Sequence, residues 1–170
     1  SGLTQMAKGT TVPVINGLSD DFHPCQLLAD LLTIQEHRGE LAGQTVAFLG
    51  DGGSNMAQSY LLATATAGMH LRLGSPAEFA PDARVVADAE KVAAETGGSV
   101  VVVADAAAAV DGADVVVTDT WVSMGQEAQK ADRAGAGSSS TTGAGSSTTT
   151  GSSAVTEKSS RTTSWAPSVW

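Results

Sequence analysis

Apolar runs alternate with helically spaced apolar positions over residues 12–122. Val12, Pro13, Val14 and Ile15 predict a short buried strand. Leu27, Leu28, Leu31 and Leu32 recur at helical spacing within a predicted helix over 22–36. A strand is predicted over 45–49, a glycine-rich turn over 50–54 and a helix over 55–67. Further on come a strand over 70–73 and an Ala- and Val-rich helix over 81–96 that Gly97 and Gly98 end. Residues 99–103 are a continuous apolar strand, Asp105 caps a short helix reaching Val110, and 114–118 is a last strand. Strands apolar on both faces and separated by helices predict a parallel sheet covered on both sides. Right-handed crossovers then give a doubly wound, Rossmann-like three-layer α/β domain.

The texture changes near Ala134. Residues 135–153 are almost wholly Gly, Ser, Thr and Ala, which bury too little apolar surface to offset their ordering entropy. The expectation is one domain over 1–134 and a disordered, low-complexity C-terminal tail or linker over 135–170.

Composition narrows the function classes. The net charge of −9, spread along the chain, repels phosphate backbones, so nucleic-acid binding is not expected. Aromatics make up only 4% of residues, so the core is expected to be aliphatic. A single cysteine, Cys25, excludes an intrachain disulfide and fits a reducing compartment. No apolar run is long enough to span a bilayer, and residues 1–11 lack the regions of a signal peptide. The expectation is a soluble cytoplasmic protein that meets neither membrane nor nucleic acid.

In doubly wound sheets ligands sit at the carboxyl ends of the strands, and three polar clusters are predicted to converge there. In the first, Pro24 suits the opening turn of a helix, whose free amides, with His23 and Gln26, would polarise a carbonyl oxygen. The same residues also suit an ordinary helix start with Cys25 as a small buried hydrophobe. The second, residues 50–55, follows a strand and opens a helix, but lacks the G-x-G-x-x-G spacing of a dinucleotide site. Its Asn55 offers donor and acceptor atoms to the charged groups of an amino acid, or simply caps a tight turn. In the third, Asp119 ends a strand as a carboxylate suited to an ammonium ligand. Ser123 follows, and Gly125 permits close backbone approach; the alternative is a plain strand exit with Trp121 packed on the core. No His, Cys or carboxylate spacing suits a metal. His37, beside Arg38 at a helix end, and His70 at a strand start are assigned no chemistry.

The segments VPVINGLSDDFHPCQLLADLLTIQEH, FLGDGGSNMAQS and GADVVVTDTWVSMGQE together resemble the ornithine carbamoyltransferases, over residues 11–129. The His-Pro-x-Gln element is shared with the aspartate carbamoyltransferases; its combination with the third segment marks the ornithine branch. The resemblance implies transfer of the carbamoyl group of carbamoyl phosphate to L-ornithine, giving L-citrulline, with no metal or organic cofactor. It implies that His23 and Gln26 hold the carbamoyl group, that Asn55 and Asp119 bind ornithine, and that Ser123 and Met124 complete the ornithine contacts. It also implies a homo-oligomer, a trimer or trimers of trimers, with active sites shared between subunits.

The sequence departs from that pattern in three places. The family's carbamoyl-phosphate domain with its Ser-Thr-Arg-Thr loop and its later His-Cys-Leu-Pro segment have no counterpart in these residues, and Ser54 stands where a second asparagine is usual. Residues 157–165 resemble a degraded phosphate loop, which makes Arg161 a weak phosphate candidate, although a Ser/Thr-rich tail produces such strings by chance. A chain inactive on its own is therefore expected. The alternatives are an amino-acid-binding module without catalysis and, against the glycine spacing, a nucleotide-binding domain.

Overall fold

A computed structural model describes residues 2–120 together with the backbone of Ala154–Glu157. The elements run α1 (Gly2–Gly9), α2 (Pro24–Arg38), β1 (Thr45–Leu49), α3 (Asn55–Thr66), β2 (His70–Gly74), a 3-10 turn (Ala77–Phe79), α4 (Ala83–Thr96), β3 (Ser99–Val103), α5 (Ala106–Val110), β4 (Val115–Thr118) and β5 (Ala154–Glu157). The sheet order is β3-β2-β1-β4-β5, with the first four strands parallel. From β1 the chain steps outward through β2 to β3, then returns across the sheet to place β4 on the other side of β1. That reversal is the switch point of a doubly wound sheet, and the expected fold class stands.

The two faces are filled differently. Val46, Phe48, Leu71, Leu73, Val115 and Val117 pack under the helices with Leu27, Ile34, Tyr60, Leu61, Ala89 and Ala93. Behind the sheet, Ala47, Ala109 and Ala113 form a thin second cluster beneath α5. The pleat explains the division: in β1, Val46 and Phe48 point to one side and Ala47 to the other, all three fully buried. Small residues behind the sheet let the five-residue α5 sit close. Among the described residues the aromatic share of the main core is Phe48 and Tyr60, whose ring centroids lie 5.4 Å apart in a tilted pair.

Local chemistry sets the ends of the elements. Ser54, Asp82 and Asp105 each cap a helix by accepting a backbone N–H two or three residues on. Gly97, at φ 83°, closes α4 in the left-handed conformation. At the amino rim of the sheet, Asp114 accepts from the Arg38 guanidinium (2.9 Å) and from the Thr45 N–H (2.9 Å). This fastens the end of α2 to the starts of β1 and β4.

Two expectations need correction. The strand at Val12–Ile15 is absent: residues 10–23 are irregular, and Val12 and Ile15 stand 66% and 78% exposed. Pro13 has no N–H for a ladder, and among the described residues no strand lies alongside. Instead the first residues form α1, which buries none of its side chains. In α2, Leu28 and Leu32 face outward while Leu27, Asp30 and Ile34 are buried. The proposed boundary at 134 and the tail over 135–170 lie outside the described residues, except Ala154–Glu157. Those four residues pair antiparallel with β4, Thr118 opposite Ala154 and Val115 opposite Glu157. An edge strand offers a full row of unpaired backbone groups whatever the partner's side chains, so a polar sequence suffices there.

Candidate active site

The carboxyl ends of β1 and β4 lie side by side, Leu49 opposite Thr118. A Cβ built on Gly50 would stand 3.9 Å from the amide nitrogen of Asp119. The carboxylate of Asp119 begins the chain's exit from β4, and its Oδ1 accepts from the Thr120 N–H at 2.7 Å.

From Gly50 the chain makes the turn that opens α3. Gly52 lies against the 3-10 turn so closely that an added Cβ would meet the Phe79 carbonyl oxygen at 2.8 Å. Its N–H donates to Ser75 Oγ (3.1 Å), and that hydroxyl donates to Phe79 O (2.7 Å). Buried Asp51 accepts the Gly53 N–H at 2.9 Å. The cap of α3 is Ser54, whose Oγ accepts from Ala57 N, so capping does not occupy Asn55. Asn55 instead donates through Nδ2 to Ser19 O at 3.1 Å.

That bond draws the loop before α2 to the same rim. Ser19 Oγ bridges Asn16 Nδ2, Phe22 N and Phe22 O, and the His23 N–H donates to Ser59 Oγ at 2.8 Å, one turn into α3. His23 occupies the N-cap position with Pro24 following, but makes no side-chain cap. Its Nδ1 is buried with no hydrogen-bond partner, as is Asn16 Oδ1. Cys25 is exposed, its Sγ 3.5 Å from Asn16 O, rather than a buried hydrophobe. Gln26 reaches along α2 to donate through Nε2 to Asp30 Oδ1 (2.9 Å), and the Tyr60 hydroxyl donates to Asp30 Oδ2 (2.7 Å). Burial pushes the Tyr60 phenol far above its ordinary range; Asp30 pushes it the same way, and Asp119 adds to it. The Asp119 carboxylate is thus within electrostatic reach of the α2–α3 junction.

His23, Gln26, Asn55 and Asp119 are each half-buried: Asn55 opens α3 after β1, Asp119 follows β4 on the neighbouring strand, and His23 and Gln26 lie at the start of α2, whose leading loop is bonded to α3. Ser123, Met124 and Arg161 lie outside the described residues. The Asp30–Tyr60 pair was not among the residues singled out from sequence. Its signal was a carboxylate on the buried stripe of α2, between Leu27 and Ile34. Among the described residues no group of three or more His, Cys, Asp or Glu is arranged to hold a metal ion, and no helix is long and apolar enough to cross a membrane.

Comparison with known proteins identifies the family. The family model described as "Aspartate/ornithine carbamoyltransferase, Asp/Orn binding domain" matches residues 42–138. The model for the carbamoyl-P binding domain of the same family matches residues 1–36. The two matches divide the chain between α2 and β1. An ornithine carbamoyltransferase of Clavibacter sepedonicus is 71% identical over 133 residues, 78% of this chain and 43% of the relative. One of Mycolicibacterium smegmatis is 54% identical over 131 residues, 77% of this chain and 43% of the relative. The solved ornithine carbamoyltransferase of Pyrococcus furiosus superposes with a TM-score of 0.74 at 46% identity, covering 79% of this chain and 42% of that one. The chain thus spans less than half the length of the relatives it matches. With a family model covering more than half of its residues, the chain belongs to the aspartate/ornithine carbamoyltransferase family.

Proposed function

We propose that this chain carries the ornithine-binding half-site of an ornithine carbamoyltransferase, on the elements that follow the 1–36 match to the carbamoyl-P binding domain. The reaction is attack of the ornithine side-chain amine on the carbonyl carbon of carbamoyl phosphate. The new C–N bond forms, the C–O bond to phosphate breaks, the amine loses a proton, and citrulline and phosphate leave. What supports the reading is that Asn55 follows β1 and Asp119 follows β4, neighbouring strands at the strand-order reversal, beside a loop that Ser19 and Ser59 hold against α3.

Each side chain then has a part in that reaction. Asp119 pairs with the α-ammonium group of ornithine and Asn55 binds its polar backbone groups. Ser123 and Met124 add contacts from the segment after β4. His23 donates toward the carbamoyl oxygen, and Gln26 toward or from the carbamoyl amide. Stabilising charge on the tetrahedral intermediate in this way needs positioned donors and no metal or organic cofactor. Arg161 is a weak candidate for phosphate. A homo-oligomer, a trimer as the family resemblance implies, in the cytoplasm completes the reading. The named activity of the 71%-identical relative supports the reaction class.

Since the chain spans 43% of that relative's length, we further propose that these 170 residues bind ornithine without appreciable turnover of their own. That favours a second reading, an amino-acid-binding module, for the chain in isolation. Calorimetry with L-ornithine and a citrulline assay with carbamoyl phosphate separate the cases. The expected result is binding heat with little or no citrulline. Robust turnover overturns the proposed incompetence, and the absence of ornithine binding overturns both ligand readings.

A further inference from the structure

We infer that Asp30 and Tyr60 form a positioning pair that fixes which end of the Gln26 amide meets the carbamoyl group. A primary amide can present either a carbonyl oxygen or an NH2 group, and the two are nearly isosteric. A carboxylate has only lone pairs to offer, so the end of Gln26 that faces Asp30 Oδ1 at 2.9 Å is its NH2. The planar amide then turns Oε1 away from Asp30, as an acceptor at the start of α2.

Two features hold Asp30 in that role. It is 6% exposed, on the buried stripe of α2. Its second oxygen is tied at 2.7 Å to the hydroxyl of Tyr60, itself fully buried on α3. The carboxylate thus has one oxygen for each partner and cannot swing toward either. Tyr60 is also packed against Phe48 of β1, so the orientation of Gln26 is referred through two hydrogen bonds to the centre of the core. A residue with the charge of Asp30 would otherwise be a costly tenant of an apolar stripe. This deepens the reading in which Gln26 meets the carbamoyl group and rests on it: the carbamoyl NH2 is a donor, and a locked Oε1 is its complement.

The test uses the full chain, carbamoyl phosphate and L-ornithine as separate titrants, and the variants Asp30→Leu/Tyr60→Phe and Asp30→Asn. The double variant removes charge and both bonds while keeping apolar volume, a change that folds often tolerate. In the Asp30→Asn variant the new amide can still accept from Gln26 through its oxygen, and its NH2 can donate to the Tyr60 hydroxyl oxygen. The double variant is expected to weaken carbamoyl phosphate about tenfold, the worth of one well-placed hydrogen bond, with ornithine affinity unchanged, and Asp30→Asn to stay within about threefold of the parent. A purely structural role would move both ligands alike, and the conservative variant would not preserve affinity. Equal carbamoyl phosphate affinity in parent and double variant overturns the inference alone. Failure of the parent to bind carbamoyl phosphate overturns it together with the assignment of Gln26. A readout free of folding effects is the Gln26 side-chain amide in the parent's 15N spectrum. An NH2 pair with one proton displaced from its free-glutamine position and protected from solvent exchange supports the lock; a pair at free-glutamine positions that exchanges as a solvated amide contradicts it.

Discussion

The side-chain amide of Asn55 donates to the carbonyl oxygen of Ser19 at 3.1 Å, across 36 residues of sequence. Through it the first turn of α3 holds the irregular loop that leads to His23. The nitrogen of the Asn55 amide fixes the loop and, in the proposed half-site, its oxygen meets the ligand. Asn55→Ala is expected to weaken L-ornithine about tenfold through the loss of a polar contact and to speed proteolytic cleavage within residues 10–23. Calorimetry and limited proteolysis read the two effects separately. Weaker binding with unchanged cleavage would show that the Ser19 bond does not restrain the loop.

Asp114 joins α2, β1 and β4 at the opposite rim. Arg38 and Asp114 are both partly exposed, so solvent weakens their ion pair. The Thr45 N–H, by contrast, has no replacement inside the sheet. Asp114→Ala is expected to cost about 1–2 kcal/mol, chiefly for that backbone donor. Arg38→Ala is expected to cost well under about 1 kcal/mol. Urea unfolding of the two variants gives the comparison, and equal losses would shift the weight to the ion pair.

Gly52 has no room for a side chain, since a Cβ there would lie 2.8 Å from a backbone oxygen and 3.0 Å from Ser75 Oγ. Gly52→Ala is expected to destabilise the fold by about 1–3 kcal/mol and to disturb the turn that presents Asn55. Thermal unfolding and ornithine affinity should fall together. A variant as stable as the parent would mean the 3-10 turn yields freely.

Tyr60 is the chain's one tyrosine, so absorbance of tyrosinate near the red edge of the protein spectrum reports on it alone. Its phenol is held protonated by burial first, then by Asp30. A folded-state pKa raised above the unfolded value of 10.0 means that stability is intact below that pH. It is lost as pH climbs above it, because the unfolded chain then releases a proton that the folded chain keeps. Stability is expected to decline above pH 10 in the parent, with this contribution missing in Tyr60→Phe, and tyrosinate absorbance to rise only with unfolding. Tyrosinate forming near pH 10 in a folded chain would contradict the buried hydrogen bond to Asp30.

How far the sequence reveals this molecule depends on the range of the forces involved. The strands at 45–49 and 99–103 are continuous apolar runs closed by polar or glycine residues, and both expected spans coincide with β1 and β3. The caps at Asp105 and the stop at Gly97 are equally local. Val12–Ile15 misled because its apolar residues suit a strand only if another strand is alongside, which no local pattern can supply. The same limit hid β5, where backbone pairing to an open edge needs no side-chain signal. His23, Gln26, Asn55 and Asp119, the residues of the proposed half-site, are legible as polar clusters at predicted strand and helix ends. Their supports are not: Ser19 to Asn55, Ser59 to His23 and Tyr60 to Asp30 each span thirty or more residues. Asp30 did leave a trace, as a charge among the inward aliphatic residues of α2.

The most direct test of the half-site is a titration of the 15N-labelled full chain with L-ornithine, followed amide by amide. The account predicts that perturbations gather at residues 50–55 and 118–120, with the Asn55 side-chain amide among them, and leave Thr45 and Asp114 at the opposite rim unmoved. Ornithine that shifts the amino rim instead, or shifts nothing at millimolar concentration, would contradict it.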